Sequence, residues 1–183
     1  MSAFELFGTI FGLASVVLTV REDIWCWPTG IVNIALFLVM FWRERLYGDV
    51  INYIVLLALS VYGWYEWLRG GEARGPLQVR FATRRERVWA GAACVLGAPV
   101  MGFAFDRWTD AALPYWDSVI AVVSIVAQVL LALKLVENWL LWIFVDVLAV
   151  GVYLVKGLYL TSGLYLVFLT LASMGLHSWL RRV

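Results

Sequence analysis

The chain has 183 residues, of which 63% are hydrophobic and 15% charged, with a formal net charge of +1 and a mean hydropathy of +0.86. A soluble domain is about half apolar and a quarter charged, and a chain of this length cannot hide the surplus in its own core. These figures exclude a soluble enzyme, a nucleic-acid binder and a disordered regulator, and the near-neutral charge offers no field for a polyanion. Lipid is the simplest cover for the apolar side chains. The 11 Trp, 8 Tyr and 10 Phe exceed what interface anchoring asks for and suggest a binding site built partly of ring faces.

Breaking the chain at its charged and turn-forming clusters leaves seven segments long enough to cross about 30 Å of hydrocarbon: 4–20, 27–42, 50–68, 88–105, 115–133, 139–155 and 162–180. The first lacks a positive n-region and a small-residue cleavage site, so it reads as a span rather than a signal peptide. The second opens Trp27-Pro28, with proline in the first turn, where its missing N–H costs least. The breaks fall at Arg21-Glu22-Asp23, Arg43-Glu44-Arg45, Asp106-Arg107, Lys134 with Glu137, and Lys156-Gly157. Only 69–87 looks soluble. It carries Gly70-Gly71, Pro76 and the basic run Arg84-Arg85-Glu86-Arg87, and is too short for a domain.

With the N-terminus outside, the inner segments hold Arg21, Arg69, Arg74, Arg80, Arg84, Arg85, Arg87, Lys134, Arg181 and Arg182, ten in all. The outer segments hold Arg43, Arg45, Arg107 and Lys156, four. The positive-inside rule then puts the N-terminus outside, the C-terminus inside and 69–87 in the cytoplasm.

The sequence also matches itself at an offset of 112: Trp27 with Trp139, Leu46-Tyr47 with Leu158-Tyr159, Tyr53 with Tyr165, Gly63 with Gly175 and Trp67 with Trp179, and upstream Val17-Leu18 with Val129-Leu130 and Glu5 with Asp117. Identity between 27–67 and 139–179 is about a quarter, but the matches include Trp, Tyr and Gly at fixed spacing over three spans. Three spans per copy and one between make the copies parallel. The expected fold is an all-α membrane protein of seven transmembrane helices, two parallel three-helix repeats (4–68 and 115–180) joined by a linking helix (88–105). Parallel-repeat transporters bind substrate between repeats near the midplane.

Polar side chains within spans are costly and face the bundle or a cavity. Asn33, Asn52, Gln128 and Asp146 are the candidates, and the amides could equally be interhelical glue. Asp49 and Asp117 lie near span ends, where solvation or capping suffices. Asp146 is harder to explain by packing, because Trp139, Trp142 and Tyr153 lie at −7, −4 and +7 on its helical face. A carboxylate between rings suits a flat cationic ring, since an aromatic face attracts a cation, and the amides suit sugar hydroxyls. Two cysteines in apolar context, Cys26 and Cys94, read as buried small side chains. One histidine, His177, leaves no metal cluster and no Ser/His/Asp set. No phosphate-binding loop is present. Neither enzymatic activity nor a cofactor is expected.

The runs Tyr115-Trp116-Asp117-Ser118, Ser124-Ile125-Val126-Ala127-Gln128 and Val136-Glu137-Asn138-Trp139-Leu140-Leu141-Trp142-Ile143 closely resemble the PnuC family of bacterial vitamin transporters, as do Trp27-Pro28-Thr29-Gly30-Ile31-Val32-Asn33 and Tyr62-Gly63-Trp64-Tyr65-Glu66-Trp67. The likeness covers essentially the whole chain. It implies a seven-span relative of the SWEET sugar carriers that brings nicotinamide riboside into the cell through the cytoplasmic membrane by facilitated diffusion, with trapping by a separate riboside kinase. It also implies that Trp139 and Trp142 form the family's aromatic motif and Asp146 its acid-or-amide position. Asn33 is then the first-repeat amide and Gln128 a ligand contact. Related branches carry thiamine or riboflavin. An acid suits either cationic vitamin and explains neutral riboflavin less well. A non-transporting receptor or assembly subunit is the alternative from another class, and a homo-oligomer stays open.

Overall fold

The computed structural model describes residues 3–43, 47–108 and 113–183, and among these it holds seven α-helices: α1 (Ala3–Val20), α2 (Cys26–Arg43), α3 (Tyr47–Arg69), α4 (Arg84–Trp108), α5 (Pro114–Ala132), α6 (Asn138–Val155) and α7 (Tyr159–Leu180). Each falls on one of the expected spans. Glu44, Arg45 and Leu46, which carry an expected break and part of a repeat match, lie outside the described residues, as do the side chains of Glu5, Tyr47 and Asp49. Five helices, α2 and α4 to α7, are long and apolar enough to cross a membrane. The apolar part of α1 described is shorter, 6–20, and α3 is diluted by Asn52, Ser60 and Glu66. Much apolar surface faces outward, as lipid contact requires; on α4, Val95, Val100 and Phe103 are all exposed.

The helix ends follow local chemistry. α4 starts four residues before the expected span because Thr83 and Glu86 form a reciprocal capping box: Thr83 N–H donates to Glu86 Oε2 at 2.7 Å and Glu86 N–H to Thr83 Oγ1 at 3.3 Å. Helices α1 and α5 end in the same Schellman turn. Asp23 N–H donates to Leu18 O and Glu22 N–H to Thr19 O; Leu135 N–H donates to Leu130 O and Lys134 N–H to Leu131 O. Glycine usually takes the left-handed position of this turn. Here it is occupied by Glu22 (φ 59°) and Lys134 (φ 52°).

α1 packs on α2 and α2 on α3; α5 packs on α6 and α6 on α7. The two sets meet where α3 lies on α5 and α7 on α1, and α4 lies against α5. One end of the bundle gathers the C-termini of α1, α3, α5 and α7 with the N-termini of α2 and α6 around four tryptophans. Trp27 meets Trp67 edge-to-face at 5.4 Å and 89°, and Trp139 meets Trp179 at 5.4 Å and 90°. Such pairs add about 0.5–1.5 kcal/mol beyond their buried area. Gly63 lies beneath Trp27 and Gly175 beneath Trp139, each so close that a Cβ would enter the ring. At the far end of the helices, Phe41 packs on Tyr53 at 4.9 Å and Tyr153 on Tyr165 at 5.2 Å.

The 69–87 segment is not a free loop. After a short 3₁₀ turn, Glu72–Arg74, residues 75–83 run as an extended strap across the tryptophan end. Arg80 bridges Leu135 in parallel register, its N–H donating to Lys134 O at 3.2 Å while Val136 N–H returns to Arg80 O at 3.0 Å. Leu77 and Val79 pack on the tryptophan cluster, and Ala82 N–H donates to Glu137 Oε2 at 2.9 Å. The basic run is thus partly structural. Arg80 forms a bidentate pair with Glu86, which lifts its guanidinium above the ordinary arginine pKa, and Arg87 lies 3.2 Å from Glu137.

Candidate functional site

Two polar side chains of the second helix set are buried within the bundle. Gln128 on α5 is buried, and its Nε2 donates to Ser60 Oγ on α3 at 3.2 Å across the contact between the two helix sets. Asp146 on α6 is 4% exposed and has no basic residue on its own helix. Positions 112 residues away from Gln128, Ser60 and Asp146 hold Val16, Ala172 and Ile34.

Tyr165 on α7 interacts electrostatically with Asp146, Tyr53 and Tyr153, and shares a hydrogen bond with Tyr153. The rings of Tyr153 and Tyr165 stack at 24° between planes, and Lys156 Nζ lies 5.8 Å from the Tyr153 ring while ion-paired with Asp117 at 2.8 Å. Asp117, expected to be solvated or capping, is thus a tie between α5 and the end of α6. Asp146 and Tyr153 share α6, and Tyr53 and Tyr165, which pattern reading named only as repeat matches, lie at the tyrosine end. Their offset of 112 was the available signal: if one repeat's tyrosine faces the interface, so does the other's.

The remaining candidates are distributed differently. Asn33 turns toward α1, where its Nδ2 donates to Gly8 O at 2.7 Å; this is interhelical glue of the kind amides supply in membranes. Asn52 on α3 keeps a buried Oδ1 with no protein partner, an acceptor that a ligand hydroxyl could satisfy. Trp139 is 2% exposed, wedged between Gly175 and Trp179, and occupies the same environment that Trp27 occupies 112 residues earlier. Trp142, one turn closer to Asp146, packs against that cluster and is only partly buried. Cys26 and Cys94 are unpaired thiols.

Comparison with known proteins agrees over the full length. The family model described as nicotinamide mononucleotide transporter matches residues 2–181. The chain is 30% identical, over 205 aligned residues, to the nicotinamide riboside transporter PnuC of Escherichia coli strain K12, covering 98% of this chain and 86% of that one. It is equally 30% identical, over 178 residues, to the riboflavin/roseoflavin transporter RibM of Streptomyces davaonensis, covering 96% and 83%. A crystal structure of the vitamin B3 transporter PnuC superposes with a TM-score of 0.77 at 27% identity, covering 97% of this chain and 80% of that one. With five helices long and apolar enough to cross a membrane, the chain is a multi-pass membrane protein that belongs to the PnuC, or nicotinamide mononucleotide transporter, family.

Proposed function

We propose that the protein carries nicotinamide riboside across the bacterial cytoplasmic membrane, from outside to inside. The observation that carries this reading is the buried carboxylate of Asp146, which interacts electrostatically with Tyr165 of the stacked Tyr153–Tyr165 pair. A buried carboxylate without a basic partner is costly, and a cationic pyridinium between ring faces offsets that cost. Gln128 with Ser60 and the free acceptor of Asn52 suit the ribose hydroxyls. Trp142 and Tyr153 line the site along the helix, while Trp139 and Asn33 serve it by fixing α6 on α7 and α2 on α1.

The architecture we read is seven spans in two parallel repeats, 4–68 and 115–180, with 69–87 as a cytoplasmic loop and 88–105 as the linking helix. Support comes from equivalent pairs 112 residues apart with matching geometry: the two Trp–Trp contacts, the two Gly–Trp contacts and the two Schellman turns. The ten-to-four bias of positive residues orients the N-terminus outward, which turns the tryptophan end toward the cytoplasm. With no nucleotide-hydrolysing motif in the sequence, net uptake follows from phosphorylation of the riboside by a separate cytoplasmic kinase.

Riboflavin is the second reading, favoured by the equal identity to RibM. Side-by-side titration of purified protein with nicotinamide riboside, thiamine and riboflavin separates them. We expect nicotinamide riboside to bind tightest; tighter binding of riboflavin or thiamine would reassign the substrate.

A further inference from the structure

We propose that Glu22 and Lys134 form a latch that closes the cytoplasmic end of the transport path, made from the same position of the two helix sets. The inference rests on the transport reading and orientation above. The two residues stand 112 apart in sequence, and Lys134 Nζ lies 3.4 Å from Glu22 Oε2. Both side chains are largely buried, 9% and 14% exposed.

Lys134 is a junction of four elements. Besides Glu22 on the α1–α2 turn, its ammonium donates to Leu77 O of the strap at 3.0 Å and sits 4.4 Å above the Trp67 ring at the end of α3. Glu22 Oε1 in turn lies 3.0 Å from Arg182 Nε beyond the end of α7. The line Arg182–Glu22–Lys134–Leu77 thus crosses the tryptophan end from one helix set to the other.

Fold stability does not explain the arrangement. A buried ion pair recovers little beyond its own desolvation. Both residues also occupy the left-handed position of a helix-ending turn, where glycine is preferred and other residues are strained. Two charged residues kept at that cost, at equivalent positions and facing one another, fit a joint that must open as well as close. On opening, each charge regains water, so the lost contact is offset by hydration and neither state is heavily favoured. The strap follows Lys134, because Leu77 and Arg80 bond the same turn.

Cys26 reports the state of the joint. It is 3% exposed among the four tryptophans, and replacing Cys94 with serine leaves it as the sole cysteine. In the Cys94→Ser protein, labelling of Cys26 by a membrane-impermeant maleimide in inside-out vesicles measures opening without any ligand. Lys134→Met and Glu22→Gln should each speed labelling about tenfold or more, given the size of the penalty for breaking a buried pair. Lys134→Arg, which keeps the charge and the donors, should stay near the parent rate. Size-exclusion profiles identify any variant that misfolds, and the remaining variants still decide. Unchanged labelling in folded Lys134→Met or Glu22→Gln protein overturns the latch, as does labelling only from the opposite face. A protein that labels as expected but binds no nicotinamide riboside refutes the substrate and leaves the latch standing.

Discussion

Trp67 and Trp179 lie with ring centroids 6.0 Å apart at the centre of the tryptophan end, and each sends its indole N–H into the other helix set. Trp67 Nε1 donates to Leu131 O on α5 at 3.1 Å, and Trp179 Nε1 donates to Thr19 O on α1 at 3.3 Å. Donors and acceptors are both offset by 112 residues, so the bonds are one contact made twice. Replacing either tryptophan with phenylalanine removes a buried bond but keeps most of the apolar ring. Each carbonyl also accepts from the Schellman turn, so it is not left bare; the bond is worth about 1 kcal/mol, and the cavity left by the smaller ring adds about 1–2 kcal/mol. Thermal unfolding in detergent should show similar losses for Trp67→Phe and Trp179→Phe. A large inequality between them would show that the two sets do not share the contact.

Gly63→Ala and Gly175→Ala should each destabilise the protein, because the new methyl group would enter the Trp27 or Trp139 ring. Overpacking of this kind costs about 1–3 kcal/mol. Gly163→Ala is the control: it lies on α7 with open space at its Cβ position and should unfold at the parent temperature. Equal tolerance at all three positions would mean that the glycines do not set the Trp packing distance.

At the start of α4, Glu86 accepts from Thr83 N–H, from Thr83 Oγ1 at 2.8 Å and from both terminal nitrogens of Arg80. The Arg80 pair is partly exposed, 43% and 27%, and contributes little; the cap is worth about 0.5–2 kcal/mol. Glu86→Ala should therefore speed amide exchange over residues 80–90 and shift the global melting temperature only slightly. Unaltered exchange there would refute the cap.

How much of this was legible in the sequence depends on which physics wrote it. Helix positions were legible because lipid demands apolar runs: all seven helices lie within a few residues of their expected bounds, and five are long and apolar enough to cross a membrane. The equivalence of Trp27 with Trp139 was legible too, because a ring packed on a glycine leaves both residues in the pattern. The use of the rings was not. Trp139 shares Asp146's face by spacing alone, yet helical phase does not say whether a ring meets a ligand or a neighbouring tryptophan, and the contact with Gly175 decides for the neighbour. Asn33 showed in the sequence only as an amide within a span, which is silent about its partner, a backbone carbonyl 25 residues away. The Glu22–Lys134 pair escaped because both residues looked like loop charges; only the left-handed turn folds them beneath the bundle.

Asp146 gives the sharpest test of the site. It has no basic residue on its helix and lies 4% exposed, so an amide of the same shape relieves a buried charge while preserving the packing. Asp146→Asn should therefore melt no lower than the parent, since an unpaired buried carboxylate is a liability to the empty protein. Its affinity for nicotinamide riboside should fall about tenfold to a hundredfold, which is about 1.4–2.7 kcal/mol of lost attraction to the pyridinium. Binding of neutral riboflavin, if measurable, should be unchanged or improved. Isothermal titration with both vitamins, alongside thermal unfolding, separates these outcomes. An equal loss for both ligands would make Asp146 a shaping residue rather than the counter-charge, and unchanged nicotinamide riboside binding would remove it from the site.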